Sequence, residues 1–308
     1  MEQARGTRGG VALGLGAYLL WGLFPLYFRA VEDASPTEIL AHRIVWSLVF
    51  LAGLVSLGRR WGWLPTLLRD RRRMAMLTVA AAVIALNWGV YIWAVNSDQV
   101  VEAALGYFVN PLVTVLLGVV LLGERLRPLQ WTAVGLGTGA VLVLTAGYGR
   151  LPWIALVLAG SFATYGLVKK TIATPAVESL TVETAILFLP ALGYLALLQT
   201  RGDLALASGD AGLTLLLLAA GPITAVPLLL FGASALRIPL STIGLLQYVT
   251  PVMQFLIGVT VFGEPMPAAR WAGFALVWTA LALLTADGLR QRATPDRPGA
   301  EQPSTVRP

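Results

Sequence analysis

Cysteine is absent from the 308 residues, so the chain has no disulfide, no thiolate metal ligand and no thiol nucleophile. Histidine occurs once, at His42, and the apolar segments hold too few carboxylates to replace the missing ligands, which argues against a metal centre. Charge is also scarce, at 12% of residues against roughly a quarter in soluble domains. That excludes an ordinary soluble globule. Lysine is nearly missing, since Lys169 and Lys170 are the only two among 22 basic residues. No glycine-rich phosphate loop with a strand before it and a helix after it is present, and no span carries paired carboxylates for acid-base work. An ATP-driven pump is therefore not expected, nor an enzyme, nor any cofactor.

What is abundant is apolar surface. Hydrophobic residues make up 57% of the chain, with a mean hydropathy of +0.75. Ten segments have about the 20-residue length that a hydrocarbon core requires. They lie near 10–30, 36–57, 74–95, 102–122, 128–147, 151–169, 179–199, 212–233, 240–262 and 268–288. The first is too long for a signal peptide, and no small-residue cleavage site follows it. Residues 1–9 precede the spans, and 290–308 read as a disordered tail with no apolar face to bury. The arginines fall in short connections instead of lining one face, so the net charge of +6 does not point to nucleic acid. With the N-terminus inside, 17 basic residues lie on the inner side and four, Arg29, Arg150, Arg201 and Arg270, on the outer, with Arg43 within a span. This positive-inside bias places both termini in the cytoplasm of a multi-pass protein of the inner or plasma membrane.

Residues 105–146 align with 245–286 without a gap at an offset of 140, and 14 of the 42 positions are identical. Leucine and valine matches arise by chance in apolar sequence, but Pro111/Pro251, Gly118/Gly258, Gly123-Glu124/Gly263-Glu264 and Trp131/Trp271 do not. The same offset pairs Arg43 with Glu183, Asn87 with Pro227 and Tyr91 with Phe231. A slightly larger one pairs Trp21-Gly22 with Tyr165-Gly166. The chain reads as a tandem duplication, 10–147 and 148–289, with five spans in each copy. Five is odd, so the second copy enters the membrane from the opposite side. The expected fold is an all-α membrane protein of ten transmembrane helices arranged as two inverted five-helix repeats, with a solute path between them near the midplane.

Pro111 and Pro251 are expected to kink the fourth and ninth spans and to free the carbonyls of Tyr107 and Gln247, beside the polar Asn110, Thr250 and Gln254. Arg43 and Glu183 are the clearest intramembrane charges. Such groups face the bundle interior or a cavity and find partners. At 1.5 Å per residue Arg43 lies about 10 Å from one boundary and Glu183 about 7 Å from the other. Local partners are therefore expected: Glu102 or Asp98 for Arg43, and Lys170 or Arg237 for Glu183. His42 reads as a hydrogen-bonded structural histidine rather than a proton-coupling group. Tyr18 with Trp21, Asn87 with Trp88, Tyr107 and Tyr165 complete the set of expected path-lining residues, against the plainer alternative of core packing or interfacial anchoring. Gly135 and Gly139 read as a close helix contact, and the two Gly-Glu pairs as turns whose glutamate favours the start of the next helix.

The stretches Ala17-Tyr18-Leu19-Leu20-Trp21-Gly22, Glu38-Ile39-Leu40-Ala41-His42-Arg43, Leu105-Gly106-Tyr107-Phe108-Val109-Asn110-Pro111-Leu112, Leu122-Gly123-Glu124-Arg125 and Tyr165-Gly166-Leu167-Val168-Lys169-Lys170 carry a resemblance. With the duplicated layout they resemble the EamA-type transporters of the drug/metabolite transporter superfamily, and within it the RarD branch. The match covers roughly residues 9–289. It implies an inner-membrane permease, with export as one direction, for a small organic metabolite or drug. The alternative is a channel-like or non-transporting membrane protein. A reporter fused after Leu289 should be active only when it stays in the cytoplasm. Activity confined to the outer face would overturn the topology.

Overall fold

The computed structural model describes residues 2–59, 61–122, 125–172, 174–235, 237–238, 242–243 and 246–293, and all regular structure among them is helical. The helices are α1 (Glu2–Gly22), α2 (Phe24–Ala30), α3 (Pro36–Leu57), α4 (Leu64–Arg69), α5 (Arg71–Asn96) and α6 (Val100–Leu122). They continue with α7 (Pro128–Tyr148), α8 (Trp153–Ile172), α9 (Ala176–Arg201), α10 (Ala211–Ala235), α11 (Val249–Thr260) and α12 (Ala268–Ala293). Among the described residues eight helical segments are long and apolar enough to cross a membrane, the first being Arg8–Ala30 across α1 and α2. Two shorter apolar helices, Trp153–Lys169 within α8 and Val249–Thr260, fall on the sixth and ninth expected segments.

The boundaries follow local chemistry. Ser35 caps α3 by accepting from the Glu38 N–H at 3.3 Å, with Pro36 in the first turn where no amide donor is needed. Asp70 caps α5 through the Arg73 N–H at 3.0 Å. Pro128 opens α7, and Gly149 closes it at φ 66°, a conformation only glycine adopts without strain.

Of the two prolines expected to kink a span, Pro251 differs from expectation. α6 continues through Pro111, whereas Pro251 sits in the first turn of α11, just after a turn at Gln247 and Tyr248, so no helical bond is lost there. The break that matters is at Pro25, between α1 and α2. With no N–H at Pro25 the Trp21 carbonyl lacks its helical partner, and the Gln254 side-chain amide donates to it at 3.1 Å. One turn earlier the Thr250 hydroxyl donates to the Tyr18 carbonyl at 2.8 Å. The tail also differs: α12 runs to Ala293, so 290–293 are helical, and the rest of the expected disordered tail lies outside the described residues.

The most extensive packing joins the first half of the chain to the second: α7 against α12, α6 against α8, α3 against α10 and α9, α5 against α8, and α1 against α10. Small residues permit this. A Cβ on Gly221 of α10 would collide with the Trp46 carbonyl of α3, and one on Gly106 of α6 would stand 2.9 Å from the Ala155 carbonyl of α8. Gly135 and Gly139, expected to mark a close contact, face open space instead. α7 meets α12 through Gly147 against Ala269 and Gly273 against Leu144.

Buried carboxylates from one element cap the backbone of another along the connections after α2, α5, α7, α9 and α11. Glu38 accepts from the Ala205 N–H at 2.8 Å, and Glu102 from the Ile154 N–H at 3.2 Å and from Arg150 at 2.8 Å. Glu264 accepts from Val100 N–H at 2.5 Å and Val101 N–H at 3.2 Å, with Arg270 at 3.8 Å. It therefore caps α6, not the helix that follows it as expected. Its counterpart turn at Gly123-Glu124 lies outside the described residues.

Burial pushes the Glu264 carboxyl up to about 7 from 4.5, more than the Val101 and Val100 N–H groups and Arg270 pull it down, and Asp98 adds to the rise. An acid raised in the folded state contributes stability that is complete below its unfolded pKa and is lost as pH climbs through the folded one. Raising pH from 4.5 to 7 should therefore destabilise the wild type more than Glu264→Gln in detergent melting curves; equal slopes would place the ionisation elsewhere. Gly221→Ala should lower stability by about 1–3 kcal/mol through overpacking, read as a lower Tm, and an unchanged Tm would show that the α3 to α10 contact yields without strain.

Candidate functional site

The expected site residues fall into a strip that crosses the bundle. Arg43, on α3 and 4% exposed, donates through Nε to the Thr224 hydroxyl of α10 at 2.9 Å. Its guanidinium lies over the Trp88 ring at 4.0 Å, with Phe24 at 5.3 Å and Phe28 at 5.7 Å. Arginine suits this position, because its planar cation is weakly hydrated and stacks on ring faces. Among the described residues no carboxylate lies within 4 Å of it. The partners expected from depth are used elsewhere: Glu102 pairs with Arg150, and Asp98 with Arg29 at 2.9 Å.

From Arg43 the aromatics continue edge to face. Phe28 meets Tyr91 at 5.9 Å, Tyr91 meets Tyr107 at 5.7 Å, and Tyr107 meets Phe162 at 6.0 Å. Asn87 is buried beside them. Its amide donates to the Leu158 carbonyl at 3.1 Å and the Ser161 hydroxyl at 2.9 Å, while its Oδ1 accepts from Tyr107 at 3.4 Å. The strip ends at Glu183 of α9, which accepts from Tyr165 at 3.0 Å, Ser179 at 2.5 Å and Lys169 at 2.8 Å. Lys169 also reaches the Ser179 hydroxyl. Glu183 does have a local cation, Lys169; of the two partners expected, Arg237 donates to the Ala233 carbonyl instead, and the Lys170 side chain lies outside the described residues.

A second group borders the first. Tyr18 packs on Trp21 at 5.5 Å and on Phe231 at 6.1 Å, and both α1 residues give their carbonyls to α11. Gln254 belongs here, and Gln247 is half-buried in the turn before α11. Asn110 lies on α6 with its Oδ1 buried and without a hydrogen bond among the described residues, as is the Tyr91 hydroxyl. His42 is held as a structural histidine: Nδ1 accepts from the Trp46 indole at 3.2 Å, and Nε2 lies 3.7 Å from Glu38.

Between α1, α2 and α10 is an apolar cleft of about 360 Å³ lined by Leu20, Leu23, Phe24, Tyr27, Pro222, Ile223, Val226 and Pro227. Phe24 is common to the cleft and to the rings around Arg43. Sequence reasoning missed Phe24, Phe28, Thr224 and Pro25. The proline three residues after Trp21-Gly22 was the available signal, whereas nothing in the sequence marks Thr224 as the arginine's partner. Among the described residues no group of three acidic or histidine side chains could hold a metal ion.

The model of the EamA-like transporter family matches residues 8–146. Protein RarD of Streptomyces exfoliatus is 56% identical over 291 residues, covering 94% of this chain and 92% of its own. Protein RarD of Escherichia coli is 45% identical over 292 residues, covering 94% and 99%. A crystal structure of a protein 20% identical in sequence shares the fold, with a TM-score of 0.57 over 91% of this chain and 98% of that one. The fold, the long apolar helices and the near-complete coverage agree: the chain belongs to the EamA-like transporter family, in its RarD branch.

Proposed function

We propose that the chain is a secondary transporter that moves a small organic solute across the cell membrane by alternating access between two inverted five-helix halves. The observation that carries this reading is the way packing partners exchange under the duplication. The offset turns α6 with α8 into α11 with α1, α5 with α8 into α10 with α1, and α3 with α10 into α9 with α5, all of which pack. α3 with α9, α6 with α11 and α7 with α12 map onto themselves. Self-mapping pairs are what a two-fold axis between the halves produces, and five spans per half put that axis in the membrane plane. On this reading α8 and α11 complete the ten spans, and both termini are cytoplasmic. The family match over residues 8–146 coincides with the first copy.

The solute path runs along the strip from Arg43 to Glu183, past Trp88, Asn87, Tyr107 and Tyr165, and beside Tyr18, Trp21, Asn110, Gln247 and Gln254. Pro111 and Pro251 mark the helices that border it. With no ATP-binding loop, the driving force is a gradient of an ion or of the solute itself. Cysteines introduced one at a time at Asn110 and Gln247, in a chain that has none, should react with a membrane-impermeant thiol reagent from one face at a time. Inaccessibility from both faces would remove the path from this position. Reaction from both faces in a single trapped state would replace alternating access with a pore.

A further inference from the structure

Among the described residues each buried carboxylate is met by a cation or by backbone N–H donors, whereas the buried guanidinium of Arg43 faces no anion. Glu102 has Arg150, Glu183 has Lys169, Glu264 has two backbone N–H groups and Arg270, and Glu38 has the Ala205 N–H and His42 nearby. Arg43 has a neutral hydroxyl and three neutral rings. Aromatic faces attract a cation without cancelling its charge, so one positive charge stays uncompensated in the bundle interior. Leaving a charge unpaired there is costly. A binding site that a charged ligand completes accounts for that cost.

From this geometry we infer that the solute is an organic monoanion with a flat apolar body, whose anionic group pairs with Arg43; the inference rests on the transporter reading above. Three features converge. Among the described residues the guanidinium has bonded one of its five N–H donors, at Nε, which leaves the fork that fits a carboxylate. The buried Tyr91 hydroxyl, unpartnered among the described residues, belongs to a ring that packs on Phe28, which itself lies 5.7 Å from the guanidinium carbon. The cleft of about 360 Å³ offers an apolar compartment, and its wall residue Phe24 also lies 5.3 Å from Arg43. Thr224, which holds Arg43, sits on α10 between the cleft residues Pro222 and Val226. The cleft lies on the outer side of the bundle, where Leu20, Leu23 and Val226 are exposed, so on this proposal a ring seated there brings its carboxylate to the arginine by displacing the Phe24 ring. A cation would meet like charge. A doubly charged phosphate ester would leave a net negative charge against a single guanidinium.

Three probes share one ring and differ in charge: phenylacetate, phenylacetamide and phenethylamine. With the purified full-length chain in detergent, phenylacetate should raise the Tm and quench the fluorescence of Trp88, while the neutral and cationic analogues do neither. Arg43→Gln should weaken phenylacetate binding by about thirtyfold or more, the loss expected when one partner of a buried charge pair is removed. Without any solute the same variant should melt at or above the wild-type temperature, because it removes a stranded charge while the introduced amide can still bond Thr224. Trp88→Leu should retain the preference for the anion but bind it more weakly. A shift with phenethylamine or phenylacetamide that equals the phenylacetate shift, no shift with millimolar phenylacetate, or a lower Tm for solute-free Arg43→Gln would each overturn the inference. Any of these results combined with one-face-at-a-time labelling at positions 110 and 247 removes the anion and leaves the transporter reading standing. Loss of that labelling pattern removes the transporter reading itself.

Discussion

A hydrocarbon interior has no water to accept or donate hydrogen bonds, so a backbone group released by a helix break must be met by the protein itself. In this chain that requirement couples the two halves. Pro25 releases the Trp21 carbonyl, and Gln254 of α11 meets it. The free N–H groups at the start of α6 are met by Glu264, and the Ile154 N–H at the start of α8 is met by Glu102. Each donor or acceptor comes from outside the helix it serves, Gln254 and Glu102 from other helices and Glu264 from the connection after α11. A helix in this bundle cannot move far without exposing a backbone group, and the movements open to it are those that exchange one partner for another.

The same solvent argument sorts the charges. Where depth and reach allow, a carboxylate in the bundle is matched by a cation or by amide donors, and Glu183 with Lys169 is the clearest case. Hydroxyls that have no partner across an interface turn back on their own helix: Thr132, Thr138, Thr145 and Thr279 each donate to the carbonyl four residues earlier. Thr132, Thr138 and Thr279 are exposed on their helices, yet each hydroxyl is satisfied without a partner from another helix. Buried polar atoms without a hydrogen bond among the described residues occur in several places, at Ser47, Asn96, Asn110 and Gln254 as well as at the Tyr91 hydroxyl, and the last lies near Arg43 at the crossing of α2, α3, α5 and α10. What separates the Arg43 crossing from that scattered polarity is a buried charge that faces only a hydroxyl and rings.

The helices were legible in the sequence because apolar length is a pattern with long range. Partner identity was another matter. Depth along the membrane suggested Glu102 and Asp98 for Arg43, yet depth says nothing of the direction in which a side chain leaves its helix, and Arg43 points between α5 and α10. The choice between Lys169 and Lys170 for Glu183 was likewise a question of helix face. Glycine spacing failed for the same reason. Gly135 and Gly139 share a face that looks into open space, while Gly221, without any motif around it, lies against the Trp46 carbonyl. Local rules were reliable at the caps, where Ser35, Asp70, Pro128 and Gly149 act within a few residues of themselves.

If the chain is the duplication proposed above, its two copies differ in a complementary way at the position that faces Arg43. The offset that pairs Trp21-Gly22 with Tyr165-Gly166 also places Lys169 opposite Pro25. In the second copy Lys169 neutralises Glu183, the counterpart of Arg43. In the first copy the corresponding position is a proline, which has no charge to offer, and its neighbour Phe24 presents a ring to the guanidinium. An acid at position 25 would have balanced Arg43 as Lys169 balances Glu183. The proline does something else: it frees the Trp21 carbonyl, and the answering amide, Gln254, occurs in the second copy, where the first has Thr114 at the matching place. Thr114 is too short to reach across and donates to the Asn110 carbonyl of its own helix. On that reading one substitution site accounts for a helix broken at Pro25 without a counterpart break in α8, for an amide-to-carbonyl tie in only one of two related interfaces, and for a charge that the fold alone leaves unmatched.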